Sequence, residues 1–299
     1  MVYTVTCNAA LDYVVRAENF KPGTLCRAGE ETLRAGGKGL NVSVMLETLG
    51  VPSVALGFAA GFTGEVILEE IRSLGIAEDF IHVGGFSRIN VKLIQEGRET
   101  EINGRGPYVS PGAVAQLLGK VRALPAHSLL VLAGSVPDSL PRNFYAQLLA
   151  DAARPDLRVA VDAEGELLSS ALACGPWVIK PNIHELSALF GARPRTRREV
   201  FDRARELCAR GAQNVIVSLG AEGALMAAQA GGELYVPAFR GKAVDTVGAG
   251  DSLLAGFIAA KEGGATDAEA LRFGVAAGSA TSFRKGLATK NEVLDLLKN

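Results

Sequence analysis

A carboxylate stands beside a glycine-rich turn at residues 245–252, which read Asp-Thr-Val-Gly-Ala-Gly-Asp-Ser. Apolar residues at helical spacing follow until Gly263, so we expect a helix that begins near Gly250 or Asp251. The free N–H groups of a helix start, together with the positive end of its dipole, can hold a phosphate. Asp251 could then accept a proton from an attacking hydroxyl, as phosphoryl transfer requires. Alone, the octapeptide fits a tight turn with Asp251 as helix cap equally well.

A second glycine-rich segment covers residues 35–42, Ala-Gly-Gly-Lys-Gly-Leu-Asn-Val, and runs into another helical pattern. Its N–H groups and Lys38 could hold a polar or phosphorylated ligand. It is not a Walker A loop, because that motif has serine or threonine after the lysine and here Gly39 follows Lys38. The alternative interpretation is a glycine turn with a solvated lysine.

Composition narrows the class of protein. The 299 residues suffice for one large domain or two ordinary ones, and 48% hydrophobic with 21% charged residues is typical of a globular protein. A net charge of −1 gives no overall field for nucleic acid, so we expect no nucleic-acid partner. No apolar run approaches roughly 18 residues, and the first residues do not read as a signal peptide, so we expect no membrane association. Four widely spaced cysteines fit a reduced, cytoplasmic enzyme.

Short apolar strands alternate with amphipathic helices, which predicts a doubly wound α/β sheet. We expect strands at 2–7, 53–58, 128–133, 158–162, 177–180 and 214–218, and helices ending at 49 and near 111–121, 141–154, 182–190, 196–210, 250–262, 267–283 and 290–298. One region breaks the alternation, because residues 88–95 and 99–103 predict a β-hairpin around Glu96-Gly97-Arg98. A polar, strand-like stretch between Asp12 and Arg34 could pair with it into a small sheet that serves as a lid.

Six segments together resemble the ribokinase-like family of carbohydrate kinases in order and spacing. They are 8–12, 35–42, Gly134-Ser135-Val136-Pro137, Lys180-Pro181-Asn182 with Glu185, Ser218-Leu219-Gly220 with Gly223, and 245–252. The resemblance covers nearly the whole chain. It implies one three-layer α/β/α domain over residues 1–299, with a mostly parallel central sheet and a discontinuous β lid from about 12–34 and 86–106.

The hairpin narrows the resemblance within the family. Residues 87–92, Ser-Arg-Ile-Asn-Val-Lys, differ only at Ser87 from the Thr-Arg-Ile-Asn-Val-Lys of members that phosphorylate ketose phosphates. Spacing at i, i+2 and i+4 places Arg88, Asn90 and Lys92 on one face of a strand. This face could bind the substrate, and the alternative interpretation is that it is a solvated surface of the lid. The resemblance implies ATP-dependent phosphorylation of fructose 1-phosphate at O6. The alternatives are phosphorylation of tagatose 6-phosphate at O1 and a sugar-phosphate sensor without catalysis.

The resemblance also assigns roles to residues. It implies that Asp251 is the general base and that Gly248, Ala249 and Gly250 form an anion hole. The residues that it assigns to the sugar phosphate are Asp12, Arg27, Gly37, Lys38, Asn41, Arg88, Asn90, Lys92, Asn103 and Ser135. Those that it assigns to ATP are Lys180, Asn182, Ser218, Gly220 and Gly223. Glu185 is expected to act on Mg²⁺ through water, and two lids that cover each other would make a homodimer.

Overall fold

A large sheet carries helices on both of its faces. The computed structural model describes residues 1–96, 98–152 and 154–298 of the chain. Three residues lie outside the described part of the chain. Gly97 belongs to the predicted hairpin turn, Ala153 to the helix predicted at 141–154, and Asn299 to the end of the predicted domain. The strands of this sheet are β1 (Val2–Thr6), β4 (Ser53–Ala60), β5 (Ala77–Glu78), β6 (Ile81–Val83), β9 (Leu129–Ala133), β10 (Arg158–Asp162), β11 (Val178–Ile179), β12 (Asn214–Ser218), β13 (Ala224–Ala228) and β14 (Glu233–Val236). Their order is β14-β13-β12-β11-β10-β9-β1-β4-β5, with β6 paired to β4. Pairing is parallel from β12 to β5 and antiparallel at β13 and β14.

The central strands are mostly apolar because both of their faces are covered. In β9, Leu130 and Leu132 join one core, whereas Leu129, Val131 and Ala133 join the core on the opposite face. Helices over the first face are α3 (Pro111–Arg122), α4 (Phe144–Asp151), α5 (Gly165–Ala171), α6 (Ile183–Phe190) and α7 (Arg197–Ala209). Helices over the second face are α1 (Lys38–Leu49), α2 (Gly61–Ser73), α8 (Ala249–Glu262), α9 (Asp267–Ser282) and α10 (Lys290–Lys298). The result is the predicted three-layer α/β/α architecture.

A separate four-stranded sheet stands beside α2. Its strands are β2 (Ala10–Arg16), β3 (Glu30–Gly36), β7 (Arg88–Gln95) and β8 (Arg98–Asn103), in the order β3-β2-β7-β8. The register aligns Asp12 with Asn90 and Asn90 with Asn103, which puts these polar residues on one face. The next row of residues paired across the four strands contains Leu33 and Ile102, and it lies on the other face. The sheet therefore has a polar face and a largely apolar one.

Several elements differ from the sequence-based expectation. The helix predicted at 141–154 is confined to Phe144–Asp151, because Pro141 accepts a turn hydrogen bond from the N–H of Phe144. Helix α8 begins at Ala249, one residue before the predicted start. Helices α2 and α5 and the antiparallel edge of β13 and β14 did not appear among the expected elements. Within the part of the chain that the structure describes, no helix has the length and apolar character needed to cross a bilayer.

Candidate active site

The site lies where the parallel strands end. Strands β1, β9, β10 and β11 run in the same direction, so the residues that follow them meet at one edge of the sheet. The chain places β4 on one side of β1 and β9 on the other, and a crevice forms at such a switch point in open α/β sheets. Asn8, Ser135, Asp162 and Lys180 come from these four strand ends.

The start of α8 faces this crevice. Gly248 precedes the helix with φ 76°, a left-handed conformation that favours glycine, and a Cβ there would lie 2.5 Å from Leu287 Cδ2. A Cβ on Gly250 would lie 3.2 Å from Lys180 Nζ, so the lysine ammonium lies against this turn. The N–H of Ala249 donates to the Thr246 carbonyl oxygen at 3.2 Å. The turn and Lys180 thus form a positively polarised patch suited to an anion.

Asp251 occupies the first turn of α8 and is only 6% exposed. Burial raises the pKa of its carboxyl, and the negative charge of Asp162 raises it further. A hydrogen bond from Asn41 and the charges of Lys180 and Lys38 oppose this rise, and the resulting pKa is about 6. Such a carboxylate is ionised at neutral pH yet basic enough to accept a proton, which is the property of a general base.

Asp162 ties two lysines together at the centre of the crevice. Its Oδ1 lies 3.0 Å from Lys38 Nζ, and its Oδ2 lies 3.0 Å from Lys180 Nζ. Burial opposes ionisation of Asp162, but Lys180 and Lys38 outweigh it and lower the pKa of the carboxyl. Sequence reasoning missed Asp162. Its signal was a charged residue at the end of the apolar strand β10, at the edge where sites form.

Glu185 has two structural partners. Its Oε2 accepts from the N–H of Asn182 at 2.8 Å, while Asn182 Oδ1 accepts from the N–H of Glu185 at 2.8 Å, so the pair forms a capping box at α6. Its Oε1 lies 3.1 Å from Lys38 Nζ. The carboxylate therefore caps a helix and also belongs to the charged network around Asp162.

Two cavities open along this edge and share Lys38. The larger, about 890 Å³, adjoins the start of α8. All the residues predicted to contact ATP line it, as do the four predicted catalytic ones: Lys180, Asn182, Ser218, Gly220, Gly223, Gly248, Ala249, Gly250 and Asp251. The smaller, about 240 Å³, is polar, and four predicted sugar-phosphate residues line it: Gly37, Lys38, Arg88 and Ser135. Asn8, which was not among the predicted site residues, lines it as well.

The polar face of the small sheet holds a second group of predicted residues. Asn90 Nδ2 donates to Asp12 Oδ1 at 3.0 Å, and Lys92 Nζ lies 3.9 Å from Asp12 Oδ2. Gly36 allows this arrangement, since a Cβ there would lie 2.7 Å from Asp12 Oδ2. All three side chains are largely buried.

Three residues predicted to bind the sugar phosphate neither line the smaller cavity nor belong to the buried group of Asp12, Asn90 and Lys92. Arg27 is exposed in the loop between β2 and β3 and lines a separate surface depression with Arg16 and Leu25. Asn103 is exposed at the end of β8, where its amide lies 3.5 Å from Glu101 Oε2. Asn41 donates its side-chain amide to Asp251.

Comparison with known proteins shows the family of the chain. Residues 4–294 match the pfkB family of carbohydrate kinases. A 1-phosphofructokinase of Borreliella burgdorferi is 40% identical over 99% of this chain and 96% of its own, and one of Bacillus subtilis is 41% identical over 99% and 97%. A D-tagatose-1-phosphate kinase of Bacillus licheniformis is 38% identical over 96% and 94%.

Solved structures give the same result. Phosphofructokinase-2 from Escherichia coli in complex with fructose-6-phosphate has a TM-score of 0.92 at 29% identity, over 99% of this chain and 98% of that one. Ribokinase from Arabidopsis thaliana, complexed with ribose and ATP, has a TM-score of 0.81 at 25% identity, over 100% and 98%. The chain belongs to the pfkB family of carbohydrate kinases, which use ATP. The predicted ribokinase-like fold and the predicted class, a sugar-phosphate kinase similar to 1-phosphofructokinases, are confirmed.

Proposed function

We propose that the chain transfers the terminal phosphoryl group of ATP to O6 of fructose 1-phosphate, giving fructose 1,6-bisphosphate. The two 1-phosphofructokinase relatives at 40% and 41% identity support this choice of substrate. The observation that carries the mechanism is the placement of Asp251, a buried carboxylate with a pKa of about 6 at a helix start beside Lys180. Asp251 takes the proton of O6 as that oxygen attacks the terminal phosphorus of ATP, whose bond to the bridging oxygen breaks so that ADP leaves.

The transferred group lies between the two cavities in this proposal. ATP occupies the larger cavity, where Ser218, Gly220 and Gly223 face the nucleotide. Lys180 and the N–H groups of Gly248 and Gly250 hold the phosphoryl group in flight, because its oxygens carry the negative charge that these donors favour. The N–H of Ala249 already donates to the Thr246 carbonyl oxygen. Asp162 keeps Lys180 and Lys38 in place.

Mg²⁺ fits this site only as an ion held mainly by nucleotide phosphates and water. Among the described residues, no group of three or more acidic, histidine or cysteine side chains could cage a metal. Mg²⁺ keeps several waters and needs few protein carboxylates, so Glu185, beside Lys38 in the network, suits a contact through water. When bound, the ion would neutralise charge on the ATP phosphates.

The sugar phosphate places its 1-phosphate in the smaller cavity. Arg88, Lys38 and Ser135 line that cavity, and two carboxylates, Glu164 and Glu185, line it as well. The guanidinium and the ammonium supply the positive charge that binds a phosphate dianion. Arg88 Nε donates to the Asn8 carbonyl oxygen at 3.1 Å, which fixes the direction of the guanidinium. Asp12 and Asn90 of the small sheet contact the sugar, and Arg27, Lys92 and Asn103 join them if the sheet closes.

A second substrate is D-tagatose 1-phosphate, favoured by the 38% identical relative named for it. This sugar keeps the phosphate on C1, unlike the tagatose 6-phosphate considered from the sequence. The same cavity would then hold the same group, and discrimination would depend on the configuration of the sugar hydroxyls.

Initial rates of ADP release test the choice of substrate. The panel contains fructose 1-phosphate, D-tagatose 1-phosphate, tagatose 6-phosphate, fructose 6-phosphate and free fructose, each with Mg-ATP. We expect the highest kcat/KM for fructose 1-phosphate. A higher value for a tagatose phosphate would replace the substrate and keep the mechanism, and binding without ADP release from any member would favour the sensor.

We also propose that two copies pair through the apolar face of the small sheet. Leu33, Ile89 and Ile102 lie on that face and are 56%, 41% and 65% exposed. Exposed apolar patches on soluble domains mark contact surfaces, and a two-fold axis lets the same face cover itself. Light scattering should give the mass of a dimer, and Ile102→Glu should give a monomer. A monomeric native chain would contradict the pairing.

A further inference from the structure

Asn41 and Asp251 are 210 residues apart in sequence and share one short hydrogen bond. Asn41 Nδ2 donates to Asp251 Oδ2 at 2.7 Å, from α1 to the first turn of α8. The N–H of Asn41 donates to the Gly37 carbonyl oxygen at 2.9 Å, so the helix fixes the backbone that carries the amide. A Cβ on Gly248 would lie 3.6 Å from the same nitrogen, so the amide lies under the anion-binding turn.

This hydrogen bond gives the two oxygens of the Asp251 carboxylate different surroundings. An amide N–H that occupies Oδ2 leaves Oδ1 as the oxygen without this donor, and it also limits rotation of the carboxylate plane. A donor to a carboxylate stabilises the ionised form, which is the form that a general base needs. The sequence resemblance had assigned Asn41 to the sugar phosphate, and the geometry gives it another partner.

We propose that Asn41 is a positioning residue that holds Asp251 with Oδ1 toward the acceptor hydroxyl and keeps the carboxylate ready to accept its proton. The inference rests on the proposed role of Asp251 as the base. The other charged groups that face Asp251 are Asp162 at the end of β10, Lys180 after β11 and Lys38 at the start of α1. Since Asn41 is uncharged, its replacement by leucine changes the hydrogen bond and leaves these charges in place.

The test compares Asn41→Leu and Asn41→Asp with the native chain. We expect Asn41→Leu to lower kcat by about ten- to a hundredfold, with little change in KM for the sugar phosphate. The acid limb of the kcat/KM profile should move to higher pH by about one unit, because a hydrogen bond to an ionised group is lost. Asn41→Asp should move it further, since a second carboxylate would disfavour ionisation of the first.

Controls separate positioning from folding. The substrate phosphate titrates near pH 6 in every experiment, so only the difference between variants is interpreted. Thr48→Val removes a hydroxyl that donates to the Val44 carbonyl oxygen on the same helix, and it should leave the acid limb unchanged. Circular dichroism and ATP binding report whether each variant folds, and Asn41→Ser provides a small polar substitute if the leucine variant does not.

The outcomes distinguish the two proposals. A raised KM with kcat and the acid limb unchanged in Asn41→Leu would make Asn41 a sugar-phosphate ligand and overturn the inference. If Asp251→Asn retains native turnover, the base itself is wrong. If Asp251→Asn loses turnover, adding Asn41→Leu should cost little more, because the two residues then act as one unit.

Discussion

Asp162 and Lys180 form a buried ion pair, with 3.0 Å between Oδ2 and Nζ, at the ends of the neighbouring strands β10 and β11. Their exposed fractions are 0% and 3%, so water screens neither charge. An isolated buried charge is costly, and Lys180 therefore requires the carboxylate of Asp162, which pairs with Lys38 as well. The consequence for function is that the lysine against the α8 turn is held by a carboxylate that lines neither of the two cavities.

Replacing Asp162 should therefore affect stability. Asp162→Asn leaves Lys180 without its counter-charge, and we expect the free energy of unfolding to fall by about 3 kcal/mol. Denaturant unfolding measures it. The control is Asp267→Asn, which breaks an ion pair of 2.8 Å to Lys261 near the surface and should cost no more than about 1 kcal/mol. Equal losses in the two variants would contradict the interdependence of the buried pair.

The pH dependence follows from the Asp251 carboxyl. With a pKa of about 6, the base is ionised above that pH and protonated below it, so kcat/KM should fall as pH drops through 6. Asp162 raises this pKa through its charge, so the acid limb of Asp162→Asn should move to lower pH. Because the substrate is the same in both profiles, a difference in pH between their acid limbs measures a change in the pKa of a group of the protein. A shift to higher pH would mean that the two carboxylates do not interact in this way.

The turn before α8 requires glycine at position 248. Gly248→Ala would place a Cβ 2.5 Å from Leu287 Cδ2 in a left-handed conformation. Gly264→Ala is the matched control, since its φ is +83° and nothing lies within 4 Å of the added Cβ. In the control, backbone strain alone should lower the free energy of unfolding by about 1 kcal/mol and leave kcat unchanged. Gly248→Ala should cost more and lower kcat, and native turnover in that variant would exclude the turn from the anion site.

Arg88 should carry much of the affinity for the sugar phosphate. We expect Arg88→Ala to weaken fructose 1-phosphate binding by about ten- to a hundredfold, because a charge-assisted contact to phosphate is lost, and to leave ATP binding unchanged. Isothermal titration calorimetry measures both. Arg27→Ala serves as the comparison. An equal loss there would indicate that the loop between β2 and β3 folds over the sugar, and no loss in Arg88→Ala would place the phosphate elsewhere.

Local sequence patterns predicted the ends of helices well where a single capping residue determines them. Ser110 caps α3 and Gly50 ends α1, as the sequence indicated, because caps depend on a few neighbouring residues. Residues 224–228, Ala-Leu-Met-Ala-Ala, have no strand-like alternation, and they form β13 because pairing with β12 and β14 completes the sheet. Such tertiary pairing is not visible in a local window.

The site was predictable in its residue types and less so in its pairings. The glycine turn that precedes it in the sequence indicated Asp251, and the family resemblance indicated Lys180. The bond from Asn41 to Asp251 joins residues from distant segments, and only the packing of α1 against α8 brings them together. The carboxylate of Asp162 belongs to no glycine motif, so its role between Lys38 and Lys180 became apparent only in three dimensions.

The most direct test of the mechanism is the Asp251→Asn variant with Mg-ATP and fructose 1-phosphate. The amide keeps the size of the carboxylate and cannot accept the proton. We predict that turnover falls by about 10²- to 10⁴-fold while calorimetry shows nearly native sugar-phosphate binding. Turnover equal to that of the native chain would contradict the assignment of Asp251 as the base.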